Sequence, residues 1–196
     1  MSASVLYMSM SLDGFIAGPD DDHDNGLGVD GQRLHAWLGD GGDNVHDYRP
    51  SGVSGEVFDE VMDTGAVLVG RRTFDLAGGW DGDHHGVPIF VLTRREPGAD
   101  AVRSPLVTYV TDGIESAMAQ AKAAAGARNV LVHGARTAQL ALTAGVLDEL
   151  EIHQVPVLLG EGRRLFDNLG SDHIELELTR VIDAPGVTHL RYRVVR

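Results

Sequence analysis

Two rhythms of hydrophobic positions alternate along this chain. Short apolar runs closed by Gly, Pro, Asp or Thr predict buried strands, and apolar residues at every third or fourth position predict helices. Residues 3–10 form the first run, and SLDGFIAG (11–18) is its end and a turn. Residues 19–55 are rich in Asp and Gly, with one apolar island, Leu34-His35-Ala36-Trp37-Leu38. A stretch that long with little regular pattern is usually functional or mobile. Val53, Val57, Phe58 and Val61 share a face over 53–63, which predicts a helix with Ser54 as N-cap and Thr64-Gly65 as its stop. Ala66–Val69 is a strand closed by Gly70, and 72–78 a short helix. Pro88–Leu92 and Val107–Val110 are further strands. Ile114, Ala117, Met118, Ala121 and Ala125 make 113–125 an amphipathic helix. A strand at Val130–Val132 leads into a helix at 135–145, and 150–159 is again a strand. In the tail, Ile174, Leu176, Leu178 and Leu190, Tyr192, Val194 alternate on either side of Ala184-Pro185-Gly186, which predicts an antiparallel hairpin with one wet face.

Strand–helix–strand alternation followed by a hairpin is the signature of an α/β domain with a mostly parallel, mixed sheet. The 196 residues fit a single domain spanning 1–196, and 43% apolar content supplies a real core. No apolar run approaches the ~18 residues of a membrane helix. The N-terminus lacks a basic leader region and reads as a strand, not a signal peptide. The absence of Cys excludes disulfides, thiolate metal sites and Cys nucleophiles, and makes a reducing cytoplasm the default expectation. A net charge of −13 disfavours nucleic acid and anionic membrane as partners, because both require clustered Lys and Arg. A small anionic ligand needs only a local positive pocket.

Three strand ends carry residues suited to such a ligand. Val69-Gly70-Arg71-Arg72-Thr73, Leu92-Thr93-Arg94-Arg95 and Val132-His133-Gly134-Ala135-Arg136-Thr137 each place backbone N–H groups, a hydroxyl and a guanidinium after an apolar run. Ligands of open α/β sheets bind beyond the carboxyl ends of the strands, and helix N-termini favour phosphate. Three junctions together suggest a ligand with several phosphates, such as a dinucleotide with a 2′-phosphate. Arg163-Arg164 reads as surface. Asp20–Gly26 looks like a calcium loop but fails its pattern, since position twelve from Asp21 is Gln32, and it reads as a solvated acidic loop. His84-His85 beside Asp81 and Asp83 lacks metal-ligand spacing and reads as a loop; no metal site is expected.

SLDGFIAG, VGRRTF and above all GVLDELEIHQVPVLLGEGRRLF (145–166) resemble dihydrofolate-reductase-fold proteins, and more closely the RibD C-terminal family, the reductase half of the bifunctional riboflavin deaminase–reductase, in stand-alone form. The resemblance runs from about residue 3 to 195. It implies a dihydrofolate-reductase-like fold and an NADPH-dependent reductase that transfers hydride from the cofactor's C4 to a small heterocycle. The family name implies an aminouracil phosphate of riboflavin biosynthesis. Carried over by position, Gly70, Arg71, Arg72 and Thr73 hold cofactor phosphates, and Thr93 and Arg94 lie near the 2′-phosphate. Gly134, Ala135, Arg136 and Thr137 sit under the pyrophosphate, and Ile16, Ala17 and Gly18 lie beside the nicotinamide. His133 stands where the family often has a first glycine. Trp37, Leu159 and Gly160 fall at the substrate cleft, Trp37 alternatively anchoring the long loop and Gly160 alternatively forming a bulge. Asp13 either contacts substrate and delivers a proton, with water as the other source, or simply forms a turn before Gly14. The segment His35-Ala36-Trp37-Leu38 carries no acid to protonate a pterin, and Asp40 and Asp43 follow it, which argues against a folate reductase. No substrate-phosphate site stands out. The alternative readings are a non-catalytic NADP(H)-binding sensor of the same fold and a dihydrofolate-reductase-like enzyme with another substrate. The apolar hairpin, an exposed sheet edge, predicts a homodimer.

Overall fold

The computed structural model describes residues 2–39 and 45–196. The predicted strands are present and build one sheet. They are β1 (Ser4–Ser11), β3 (Ala66–Gly70), β4 (Ile89–Leu92), β5 (Val107–Val110), β6 (Val130–His133), β7 (Glu149–Val155), β9 (Leu176–Ala184) and β10 (Val187–Val194). A separate pair joins β2 (Phe15–Ala17) to β8 (Arg163–Arg164). The sheet order is β5-β4-β3-β6-β1-β7-β10-β9. The first six strands in that order are parallel, and β10 runs antiparallel to both β7 and β9. The carboxyl ends of six strands therefore share one rim.

Parallel strands are apolar on both faces because both faces must be covered. Leu6, Leu68 and Val132 pack under Met118, Ala121 and Ala138 of helices α3 (Ile114–Ala125) and α4 (Ala135–Thr143). On the other face Val67, Ile89 and Leu131 meet Val61 of α1 (Gly52–Met62) and Phe74 of α2 (Arg71–Leu76). Each fully buried Val, Leu, Ile, Phe or Met side chain among these contributes roughly 1.5–3 kcal/mol.

Several boundaries differ from the sequence reading, each for a physical reason. The first α-helix begins at Gly52, with Ser51 in the extended N-cap position. Ser54 is inside the helix and buried, and its hydroxyl meets His189 Nε2 at 3.1 Å instead of capping. The strand placed at 150–159 stops at Val155, because Pro156 has no N–H to continue a ladder. The helix placed at 72–78 ends at Leu76. A left-handed turn, Gly78–Gly82, follows it, with Gly79, Trp80 and Asp81 at φ 62°, 48° and 52°. The hairpin is antiparallel, as its alternation predicts, but the face of β9 carrying Leu176, Leu178 and Val181 is exposed. The long irregular segment contains a 3₁₀ helix, Gly31–Leu38, that carries the apolar island. Asp40 and Asp43 lie outside the described residues.

Candidate functional site

The three phosphate-suited junctions sit on neighbouring parallel strands, in the order β4-β3-β6. Thr93-Arg94, Gly70-Arg71 and His133-Gly134 therefore stand side by side along the rim. The two helix-bearing junctions interlock. A Cβ on Gly70 would lie 2.8 Å from Thr137 Oγ1, and a Cβ on Gly134 would lie 2.4 Å from Thr73 Oγ1. Each glycine thus makes room for the other junction's threonine. Gly134 also adopts φ +88°, which L side chains rarely do. The first N–H to close back in α4 is that of Ala138, onto Gly134 O at 3.0 Å. The amides of Ala135, Arg136 and Thr137 precede it and have no carbonyl within the helix to donate to. The Thr137 hydroxyl is buried with no hydrogen-bond partner among the described residues. Unsatisfied donors at a helix start, beside a second helix start, form a cradle that fits the phosphates of a dinucleotide. The arginines differ in how they are held. Arg71 Nε donates to both oxygens of Asp75 at 2.7 Å, and its guanidinium lies 5.4 Å from the Tyr109 ring centre. Arg94 and Arg136 are exposed.

Beside this rim a cavity of about 470 Å³ opens between the sheet and the long N-terminal loop. Its floor is Tyr7, Ser9, His133 and His153, side chains of β1, β6 and β7 near the rim. Trp37, Tyr48, Phe58, Trp80 and His84 complete its aromatic lining. Of the predicted residues, Ile16, Ala17, Trp37, Arg72 and Thr73 line it. Gly134 adjoins two of its lining residues, Met8 and Thr73, and Gly18 and Gly70 are not among them. A hollow of about 410 Å³ by Arg103 and Tyr109, beyond the outer strand β5, gathers none of them except through the Arg71–Tyr109 contact.

Trp37 is anchored and also borders the cavity. Its indole Nε1 donates to Ser9 Oγ at 2.9 Å, which fixes the ring, and the ring also lines the cavity. It packs 4.6 Å from His153 and 5.0 Å from His189. Those two histidines meet Nδ1 to Nδ1 at 2.8 Å, so one nitrogen donates and the other accepts. Burial pulls His153 well below its usual pKa, with His189 adding to the shift, and burial brings His189 to about 4. Both are neutral rings at pH 7. The left-handed turn holds the Trp80 indole 4.6 Å from His84 and 5.9 Å from His133. Non-glycine residues in that region cost roughly 1–2 kcal/mol each, and such strain concentrates at functional sites. His133 is turned into this aromatic floor, with Nδ1 3.5 Å from Met8 Sδ. Burial lowers its pKa to about 4. His84 and His85 approach Nδ1 to Nδ1 at 2.6 Å, and no set of three metal-ligating side chains occurs among the described residues.

Asp13 does not line the cavity. Its carboxylate accepts from Ser11 Oγ at 2.6 Å, Leu159 N at 3.1 Å and Gly160 N at 2.7 Å. The Ser11 hydroxyl, with the two amides, lowers its pKa to about 2. It is a turn lock, ionised at neutral pH and a poor proton donor. Leu159 and Gly160 accordingly face Asp13. Two features escape the sequence reading. Arg163, taken as surface, forks onto Asp21 through Nε at 3.0 Å and Nη2 at 2.9 Å. Asp21, taken as part of a solvated loop, is 11% exposed in its side chain and also receives Arg72 Nη2 at 3.0 Å. Burial opposes the charge on Asp21, but the hydrogen bonds from Arg163 and Arg72 outweigh it and lower its pKa. Gly162 permits this closure: a Cβ there would lie 2.1 Å from Ala17 O.

Solved structures share this fold. A protein of Shewanella sp. PV-4, whose name connects it with riboflavin biosynthesis, superposes with a TM-score of 0.75 at 22% identity, covering 99% of each chain. A pyrimidine reductase-like protein of Corynebacterium diphtheriae gives 0.63 at 13% identity over 100% of this chain and 92% of its own. A Thermotoga maritima deaminase/5-amino-6-(5-phosphoribosylamino)uracil reductase gives 0.62 at 13% identity, covering 99% of this chain and 57% of its own. At these identities the likeness is one of fold. The uncharacterized protein YwjB of Bacillus subtilis (strain 168) is 26% identical over 176 residues, 86% of this chain and 85% of its own. No helix among the described residues is long and apolar enough to cross a membrane. With residues 4–190 matching the RibD C-terminal domain, the chain belongs to that family.

Proposed function

We propose that the protein is an NADPH-dependent reductase acting on a small heterocycle in the aromatic cleft. One observation carries this reading: the interlocked junctions at Gly70 and Gly134 lie on the same rim as the cavity lined by Trp37 and Trp80. NADPH, when bound, supplies a hydride from its nicotinamide. The chain's residues bind, orient and shield. Amides of Ala135, Arg136 and Thr137, with Gly70 and Thr73, hold the phosphates. Thr93 and Arg94, one strand further along, take the 2′-phosphate. Ile16 and Ala17, with Gly18 just behind, border the nicotinamide. Trp37 and Trp80 are planar walls for a substrate ring and keep water from it. Asp13 stays ionised, so the proton comes from solvent. The same engaged Asp13 is what favours the rival reading, a non-catalytic NADP(H)-binding protein.

Both tryptophans of the chain line the cleft, so their fluorescence reports on it. Titration should show NADPH quenching at lower concentration than NADH, and Arg94→Ala should erase the difference. No quenching by either would end the reductase reading. NADPH oxidation at a saturating heterocycle separates enzyme from sensor.

A further inference from the structure

The cleft has aromatic walls and a floor of neutral polar side chains. His84, His133 and His153 are kept uncharged by burial. The chain's single lysine, Lys122, is ion-paired with Asp148 at 2.6 Å and does not line the cavity. Among the described residues, the permanent cations lining the cavity are Arg72 and Arg163. Both are engaged by one carboxylate. Arg163 forks onto Asp21 with two hydrogen bonds, and Arg72 reaches Asp21 through Oδ1, Oδ2 and the backbone oxygen at 3.0, 3.3 and 2.7 Å. Phosphate recognition by Arg relies on that same forked edge. A phosphate dianion would have to displace Asp21 or sit beside its charge, in a molecule of net charge −13.

We propose that the substrate of this cleft is an uncharged, non-phosphorylated planar heterocycle, and that Asp21 selects it by occupying the two arginines a phosphate would need. This rests on the reductase reading for the reaction, but not for the binding preference. Asp21 therefore acts as an internal anion, and the wall it closes is built from residues far apart in sequence: Asp21 from the acidic loop, Arg72 from α2 and Arg163 from β8. The ring packs against the aromatic lining that includes Trp37 and Trp80, and Ser9 and Asn25 add polar side chains to the same cavity.

The test uses a matched pair, 5-amino-6-(5-phosphoribosylamino)uracil and the same compound without its phosphate, titrated into the intact protein with tryptophan quenching as the readout. The non-phosphorylated compound should bind at least as tightly as the phosphorylated one, and its affinity should stay flat from about 0.05 to about 0.5 M salt. Asp21→Asn should tighten the phosphorylated compound about tenfold, now salt-dependently, and leave the other unchanged. Should that variant fail to fold, the wild-type comparison and its salt dependence decide alone. Tighter wild-type binding of the phosphorylated compound means that the arginines release Asp21 for the ligand, and overturns the proposal. So does quenching by neither compound, or a folded Asp21→Asn with no gain. Because binding is read, these results stand whether or not NADPH is oxidised. Failure of the reductase reading shows separately, as the absence of NADPH quenching.

Discussion

One methyl group at Gly134 tests the phosphate cradle. Gly134→Ala places a Cβ 2.4 Å from Thr73 Oγ1 and holds alanine at φ +88°. It should destabilise the protein by about 1–3 kcal/mol and weaken NADPH at least as much as Arg94→Ala does, which thermal melting and fluorescence titration would measure. The buried histidine pair gives a pH prediction. The pKa of His189 falls from 6.5 to about 4 on folding, so below pH 6.5 the unfolded chain takes up a proton that the folded one refuses. Stability should be intact above pH 6.5 and fall as pH drops toward 4, by up to about 3 kcal/mol for this side chain. Urea unfolding followed across that window would show it, and His189→Gln should remove one proton's worth of slope. At this scale, what could be read from sequence was what is local. Gly70-Arg71-Arg72-Thr73 and Gly134–Thr137 are contiguous, and a glycine between strand and helix has a direct physical meaning. The Asp21–Arg163 fork spans 142 residues and the His153–His189 pair 36, and no periodicity encodes either. Arg71 has a local partner instead: Asp75 lies one helical turn on, and the i,i+4 pair engages its Nε.

Elements were more legible than their ends. Apolar runs located the six parallel strands, because burial on both faces leaves few polar positions to confuse the pattern, and alternation located β9 and β10. The pair β2–β8, with three and two residues, is too short to carry a period. The first α-helix shows how a boundary misleads. Ser51 and Ser54 both resemble caps, and propensity alone cannot rank them. The structure gives Ser51 the N-cap position without a side-chain bond, while Ser54 joins the helix to β10 through His189. Ser54→Ala should therefore cost about 1–2 kcal/mol in urea unfolding, and Ser51→Ala under about 0.5. Equal effects would return Ser54 to a capping role. The turn Gly78–Gly82 had no sequence signal at Trp80 or Asp81, since glycines mark left-handed backbone and these residues ordinarily do not. Its strain is tolerated because the Trp80 indole is wedged among Phe74, His84 and His133.

The whole molecule is a sheet with two open ends, at β5 and β9. Strand β9 leaves Leu176, Leu178 and Val181 exposed at one of them, 42%, 52% and 54% accessible. An apolar edge of this kind invites strand or face pairing with a second copy. We expect a homodimer, eluting near twice the chain's 21.0 kDa, and Leu178→Lys should return it to a single chain without loss of NADPH quenching. Elution of the wild type near 21.0 kDa would refute the dimer. The centre of the sheet bears on how the chain comes to exist at all. Strand β1 is the first to be synthesised, yet its partners are Val130–Val132 on one side and Glu149–Val155 on the other. During translation it waits, apolar and unpaired, until more than two-thirds of the chain has emerged. The early βαβ segment from β3 to β5 pairs within itself and is free to form first. Folding should thus be slow and committed late, with the cleft floor of Tyr7 and Ser9 assembled only after β7 arrives. A nascent chain stalled before residue 130 would display a bare strand instead of a binding site, which makes β1 the segment a holding chaperone would be expected to grip.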